Sequence, residues 1–128
     1  MARILIVEDS QTEMFRFREI LLKHGYEVLE ANNGAEGAAM AQAELPDLIL
    51  MDVVMPGVNG FQATRHICRT ESTRDIPIVM LSSKDQDTDR AWGMRQGAKA
   101  YLIKPIEEVE LVSVIEQLLQ QAVQHSSE

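Results

Sequence analysis

Four groups capable of chemistry stand directly after short apolar runs. Glu8-Asp9 follow Ile4 to Val7, Asp52 follows Leu48-Ile49-Leu50-Met51, Ser82 follows Ile78 to Leu81, and Lys104 follows Tyr101 to Ile103. Asp52 is the least ordinary, because a charge left unsolvated at the edge of a core is costly unless it is paired, metal-bound or functional. Three carboxylates gathered at one place repel one another, and a divalent cation relieves that repulsion. A hard, oxygen-only donor set with room for water suits Mg²⁺ better than zinc. With the Ser82 hydroxyl and the Lys104 ammonium added, the set could hold one small anion against an acid oxygen. That is what transfer of a phosphoryl group to Asp52 requires.

Each piece has a plainer reading. Glu8 and Asp9 could cap a helix, Ser82 could be a loop or capping serine, Lys104-Pro105 could be a turn with its ammonium in water, and Asp52 could be a cap. The elements decide whether the pieces meet. The four apolar runs are short and bounded by polar or turn residues, as buried strands are. A fifth candidate, Tyr26 to Ala31, sets Val28 against Glu27 and Glu30, as an edge strand with one wetter side would. Between the strands lie segments of helical length. The first opens on a capping-box pattern, Ser10-Gln11-Thr12-Glu13, carries Met14, Phe17 and Leu21 on one stripe and stops at Lys23-His24-Gly25. The last spaces Leu111, Val114, Ile115, Leu118, Leu119 and Ala122 helically behind Glu107 and Glu108. Gly34 to Ala43, Phe61 to Thr70 and Gln86 to Gln96 fill the remaining slots, with Asn32-Asn33-Gly34 as a turn or helix start.

Strict β-α alternation argues for an α/β, doubly wound, five-stranded parallel sheet. With the alternating second strand at an edge, the expected order is 2-1-3-4-5, a flavodoxin-like (βα)5 arrangement with its crevice at the carboxyl ends of strands one and three. All four chemical groups then share one edge of one sheet.

Composition narrows the class. The 128 residues suit a single domain, 1–128, with a polar tail expected to fray from about 124. Twenty acidic against 12 basic residues, a net charge of −8, oppose nucleic-acid binding. One cysteine, Cys68, cannot form an internal disulfide, Met1-Ala2-Arg3 lacks the apolar stretch of a signal peptide, and no run approaches the roughly 20 residues that span a bilayer. The expectation is a cytoplasmic protein without membrane insertion. His24, His66 and His125 are scattered, and His66 and Cys68 diverge on their helix, so zinc is not expected. The seven Met residues read as gap fillers.

Taken together, Glu8-Asp9, Asp52 followed by Met55-Pro56-Gly57 and Gly60, Ser82, and Gly97-Ala98 leading through Tyr101 to Lys104-Pro105 resemble the receiver domain of bacterial two-component response regulators. The resemblance implies that Asp52 accepts a phosphoryl group from a histidine kinase, with Mg²⁺ held by Glu8, Asp9, Asp52 and the backbone carbonyl of Val54. It implies that Lys104 pairs with the phosphoryl group and that Ser82 and Tyr101 are the switch residues, with Gly60 and Pro105 structural and the Lys104-Pro105 bond often cis. Partners would read the face of the fourth helix, fifth strand and fifth helix.

Gly60-Phe61-Gln62-Ala63-Thr64-Arg65, Lys84-Asp85-Gln86-Asp87-Thr88-Asp89 and Ala91-Trp92-Gly93-Met94-Arg95-Gln96-Gly97-Ala98 are similar to the single-domain PilH-type regulators of twitching motility. That implies a chemotaxis-type histidine kinase as donor, control of type IV pili, and a monomer acting by protein contact, since no output domain follows the fifth helix. Activating a target and draining phosphoryl groups as a sink fit the sequence equally. Ser82 and Glu8 are conservative variants of the more frequent Thr and Asp. Val54 and Lys84 flank the path of a hydrolytic water, and an apolar Val54 cannot orient it, so slow self-dephosphorylation is expected. Trp92 is divided between core anchor and partner contact.

Two other classes fit less well. Haloacid-dehalogenase-type phosphohydrolases typically carry a second Asp two residues after the nucleophile, where this chain has Val54, so steady turnover lacks its general acid/base. Nucleotide or flavin binding lacks a Gly-rich loop after strand one, where Glu8-Asp9 present carboxylates to an anion that needs donors.

Overall fold

The computed structural model describes the backbone of residues 1–126 and the side chains of residues 1–122. The apolar runs form β1 (Arg3–Val7), β3 (Leu48–Asp52), β4 (Ile78–Ser82) and β5 (Ala100–Ile103), and the alternating segment forms β2 (Glu27–Ala31). They pair in parallel in the order β2-β1-β3-β4-β5. The crossovers are α1 (Gln11–Lys23), α2 (Gly34–Glu44), α3 (Gly60–Arg69) and α4 (Asp87–Gln96), and α5 (Glu108–Ser126) follows β5.

The side-chain period of two along each strand divides the core. Ile4, Ile6, Leu48, Leu50, Val79 and Leu81 face α1 and α5, meeting Met14, Phe17, Leu21, Leu111 and Ile115. Leu5, Val7, Ile49, Met51 and Ile78 face the other way, toward Ala41 of α2 and Ala63 and Ile67 of α3. Under α4 a smaller cluster holds Val53, Met80, Ala98 and Tyr101. Burial on both faces is why β1, β3 and β4 read as unbroken apolar runs. β2 is an edge, but Val28, Leu29 and Glu30 are all half-buried, because Val28 and Leu29 pack on opposite faces and Glu30 pairs with Arg18 at 2.9 Å.

Helix starts follow side-chain capping. Asn33 accepts from Glu36 N at 2.8 Å, making Asn32-Asn33-Gly34 a helix start. The third helix begins at Gly60, one residue earlier than expected, because Asn59 and Gln62 form a reciprocal capping box. Gln86 stands before α4 as its cap, with its backbone N–H donating to Asp89. At α1 Ser10 accepts from Glu13 N at 3.3 Å, while the Glu13 carboxylate turns elsewhere.

α5 continues as helix to Ser126, whereas the fraying expected from about 124 concerns side chains, and at 127–128 a backbone, outside the described residues, as does the His125 side chain. Among the described residues no helix is long and apolar enough to cross a membrane.

Candidate functional site

Parallel pairing places the ends of β1, β3, β4 and β5 along one rim. Glu8 continues β1 through its N–H, which donates to Ala31 O at 3.0 Å, and Asp52 closes β3 in the middle of the sheet. Gly60 N donates to Val53 O at 2.9 Å and draws the start of α3 across the strand end. A side chain at Gly60 would put its Cβ 2.2 Å from Asp52 O, so only glycine permits that approach. The backbone carrying Asp52 is held by this contact and by its pairing with β4, where Val53 N donates to Leu81 O at 3.1 Å.

Lys104, directly after the edge strand β5, reaches with its ammonium to the middle of the rim. Its Nζ donates to Asp52 Oδ1 at 2.9 Å, to Glu8 Oε1 at 3.3 Å and to Glu13 Oε2. Glu8 and Asp52 are buried, at 1% and 4% exposure, whereas the Glu13 side chain is 35% exposed. Ser10 N donates to Glu8 Oε2 at 3.1 Å and fixes the second oxygen of that acid. The peptide bond joining Lys104 to Pro105 is cis.

The electrostatics follow from burial. Desolvation, then the charge of Asp52, pushes the Glu8 carboxyl up to about 8. Desolvation also raises Asp52, against the hydrogen bond and charge of Lys104 and with help from the nearby Asp9 charge. For Lys104, burial disfavours the ammonium, but the bonds to Glu13 and Asp52 and the charges of Asp52 and Glu8 outweigh it and hold its pKa above the ordinary value. Such a site has more negative charge than its one ammonium neutralises. Ligand oxygens of Glu8, Glu13 and Asp52 lie within 4.8 Å of one another, and these oxygen donors fit a hard divalent cation such as Mg²⁺. Asp9 is exposed on the same rim, outside that tight group.

On the β4 and β5 side, Ser82 is buried and its Oγ accepts from Lys84 N at 3.0 Å. Tyr101 is turned inward at 3% exposure, its hydroxyl donating to Lys84 O at 2.9 Å. Arg90 braces it, donating to Tyr101 O at 3.2 Å with its guanidinium 5.7 Å from the ring centroid. Val54 and Lys84 are both exposed beside the site. The sequence reading missed Glu13 and Arg90 as members of this constellation. Glu13 was visible only as the fourth residue of a capping pattern, and Arg90 had no signal apart from helical position.

The comparisons with known proteins point the same way. A family model described as "Response regulator receiver domain" matches residues 4–116. Protein PilH of Pseudomonas aeruginosa is 53% identical over 119 residues, covering 93% of this chain and 98% of that protein. Response regulator PleD of Caulobacter vibrioides is 39% identical over 117 residues, 91% of this chain and 26% of that longer protein. Among solved structures, Vibrio cholerae chemotaxis protein CheY4 superposes with a TM-score of 0.87 at 30% identity, covering 92% of this chain and 98% of that one. The receiver domain of a Pseudomonas aeruginosa sensor histidine kinase, which holds a magnesium ion in its active site cleft, also gives 0.87 at 30% identity, with 93% and 98% covered. Five parallel strands in the shared order, an acid-lined rim at their carboxyl ends and a match along nearly the whole chain lead to one conclusion: this protein belongs to the response regulator receiver domain family.

Proposed function

We propose that this chain is a stand-alone, single-domain response regulator that accepts a phosphoryl group on Asp52 from a chemotaxis-type histidine kinase and signals by protein contact. The carrying observation is the 2.9 Å pairing of Asp52 Oδ1 with Lys104 Nζ on the end of the central strand, next to Glu8. In the transfer, an Asp52 carboxylate oxygen attacks phosphorus, the bond from phosphorus to the kinase histidine nitrogen breaks, and the imidazole keeps the electron pair. Lys104 moves its hydrogen bond to a phosphoryl oxygen. Glu8, Asp9, Asp52 and the Val54 carbonyl would hold Mg²⁺, whose charge offsets that of the phosphoryl oxygens. Ser82 supplies a hydroxyl to the phosphoryl group and Tyr101 couples that change to the surface.

The surface of α4, β5 and α5 is the proposed contact face. Trp92 and Met94, 47% and 44% exposed on α4, supply apolar area there. The likeness to PilH over nearly all of that relative supports a role in type IV pilus twitching motility, acting in the cytoplasm without steady enzymatic turnover.

The test is intact mass after incubation with acetyl phosphate, with and without Mg²⁺, for the parent and Asp52→Asn. One phosphoryl mass gained by the parent alone, and only with Mg²⁺, is the expected result. An equal gain in Asp52→Asn would move the acceptor to another residue.

A further inference from the structure

An ammonium group has three N–H donors, and those of Lys104 are all spent, one each on Asp52, Glu8 and Glu13. To follow an arriving phosphoryl group, the donor now on Asp52 must leave the carboxylate oxygen, and the bonds to Glu8 and Glu13 hold the ammonium where it is. One carboxylate must therefore let go. Asp52 is the acceptor itself, and Glu8 is buried at a strand end with its second oxygen tied to Ser10 N at 3.1 Å. Glu13 differs from both. It sits in the first turn of α1, its side chain is 35% exposed, and it can turn into water without leaving a buried charge behind.

We propose that Glu13 is a positioning residue that clasps Lys104 in the resting state and releases it when Asp52 is phosphorylated. This rests on the reading of Asp52 as the acceptor and adds to it a cost of activation set from α1. The clasp also explains the half-formed capping box: Ser10 keeps its bond to Glu13 N, while the Glu13 carboxylate reaches across to the strand rim instead of returning to the cap. Holding Lys104 keeps its ammonium from an incoming anion until the Glu13 carboxylate lets go.

The experiment compares the parent with Glu13→Gln and Glu13→Asp. Phosphorylation by acetyl phosphate at saturating Mg²⁺ is followed by intact mass, and the Lys104 ammonium is followed in metal-free protein by its ¹⁵N–¹H signal. Glu13→Asp keeps the charge but shortens the reach, which separates a clasp from a field effect. The expected result is phosphorylation roughly three- to tenfold faster in both variants, as for loss of a partly exposed charge-assisted bond. Faster proton exchange of the Lys104 ammonium should accompany it. Unchanged or slower phosphorylation in Glu13→Gln, or parent-like behaviour of Glu13→Asp, overturns the proposal. A parent that takes up no phosphoryl group fails at the acceptor and takes the release step with it, an outcome visible before any variant is compared.

Discussion

Tyr101 and Lys84 are joined by a hydrogen bond of 2.9 Å from the phenol hydroxyl to the main-chain carbonyl, while the N–H of the same Lys84 donates to Ser82 Oγ at 3.0 Å. One peptide segment after β4 thus connects a hydroxyl on the acid-lined rim to the aromatic ring beneath α4. Removing the phenol oxygen should loosen that segment and leave the fold intact. For Tyr101→Phe, a stability loss of about 0.5–1.5 kcal/mol in urea unfolding is expected. Amide exchange should quicken around Lys84, and unchanged exchange there would show that the bond does not hold the loop.

The crowded acids give the metal-free protein a pH dependence of stability. The Glu8 pKa stands at about 8 in the folded protein against an ordinary value of 4.5. Folded protein therefore binds more protons than unfolded between these values, and stability falls as pH rises through the window. Asp52, also raised, acts in the same direction. The unfolding free energy from urea titration without divalent cations should drop from pH 5.5 to pH 8, by an amount on the order of a few kcal/mol at most, and the urea midpoint with it. Glu8→Gln should flatten the trend, and a midpoint that climbs with pH in the parent would contradict it.

Gly60 carries the closest approach of a helix to the Asp52 backbone. Gly60→Ala must push α3 away from a carbonyl that cannot yield, at a cost of about 1–3 kcal/mol, as overpacking of a well-filled interior usually does. Calorimetry should show the lowered midpoint. Phosphorylation of Asp52 should slow as well, since the acceptor's backbone loses its close contact with the start of α3.

Val54, 55% exposed, presents only methyl groups two residues after Asp52, and Lys84, also exposed, stands two residues after Ser82. Neither can orient a water for attack on phosphorus as an amide or carboxylate would. The double variant Val54→Asn, Lys84→Glu should shorten the phosphoryl half-life several-fold in a single-turnover decay. Equal half-lives would show that water access is governed elsewhere.

Strand positions were readable because β1, β3 and β4 are covered on both faces, which leaves uninterrupted apolar runs with a chemical group at each end. The order 2-1-3-4-5 followed from β-α alternation and one more polar strand. Less was readable where a residue serves two purposes. Glu13 satisfies a capping pattern whether its carboxylate returns to the cap or leaves for Lys104, and the distinction depends on β5, some 91 positions away in the chain. Trp92 illustrates the same limit: helical spacing suits core and surface alike, and only the packed α4 shows it 47% exposed and off the core. Asp9 shared an expectation with Glu8, but one step along the backbone turns adjacent side chains apart, so one is buried at the rim and the other meets solvent.

The missing side chain at Gly93 lets α4 settle directly on Met80 and the Tyr101 ring, where an added Cβ would lie 2.7 Å from Met80 Sδ and 3.0 Å from Tyr101 Cδ2. The helix thus uses a single aromatic ring as part of its seat. A ring that swings out takes the footing of α4 with it, and a protein that grips α4 in its present seat holds the ring in place. Because such coupling would be reciprocal, a partner bound to α4 would bias the ring and, through Lys84, the rim from outside.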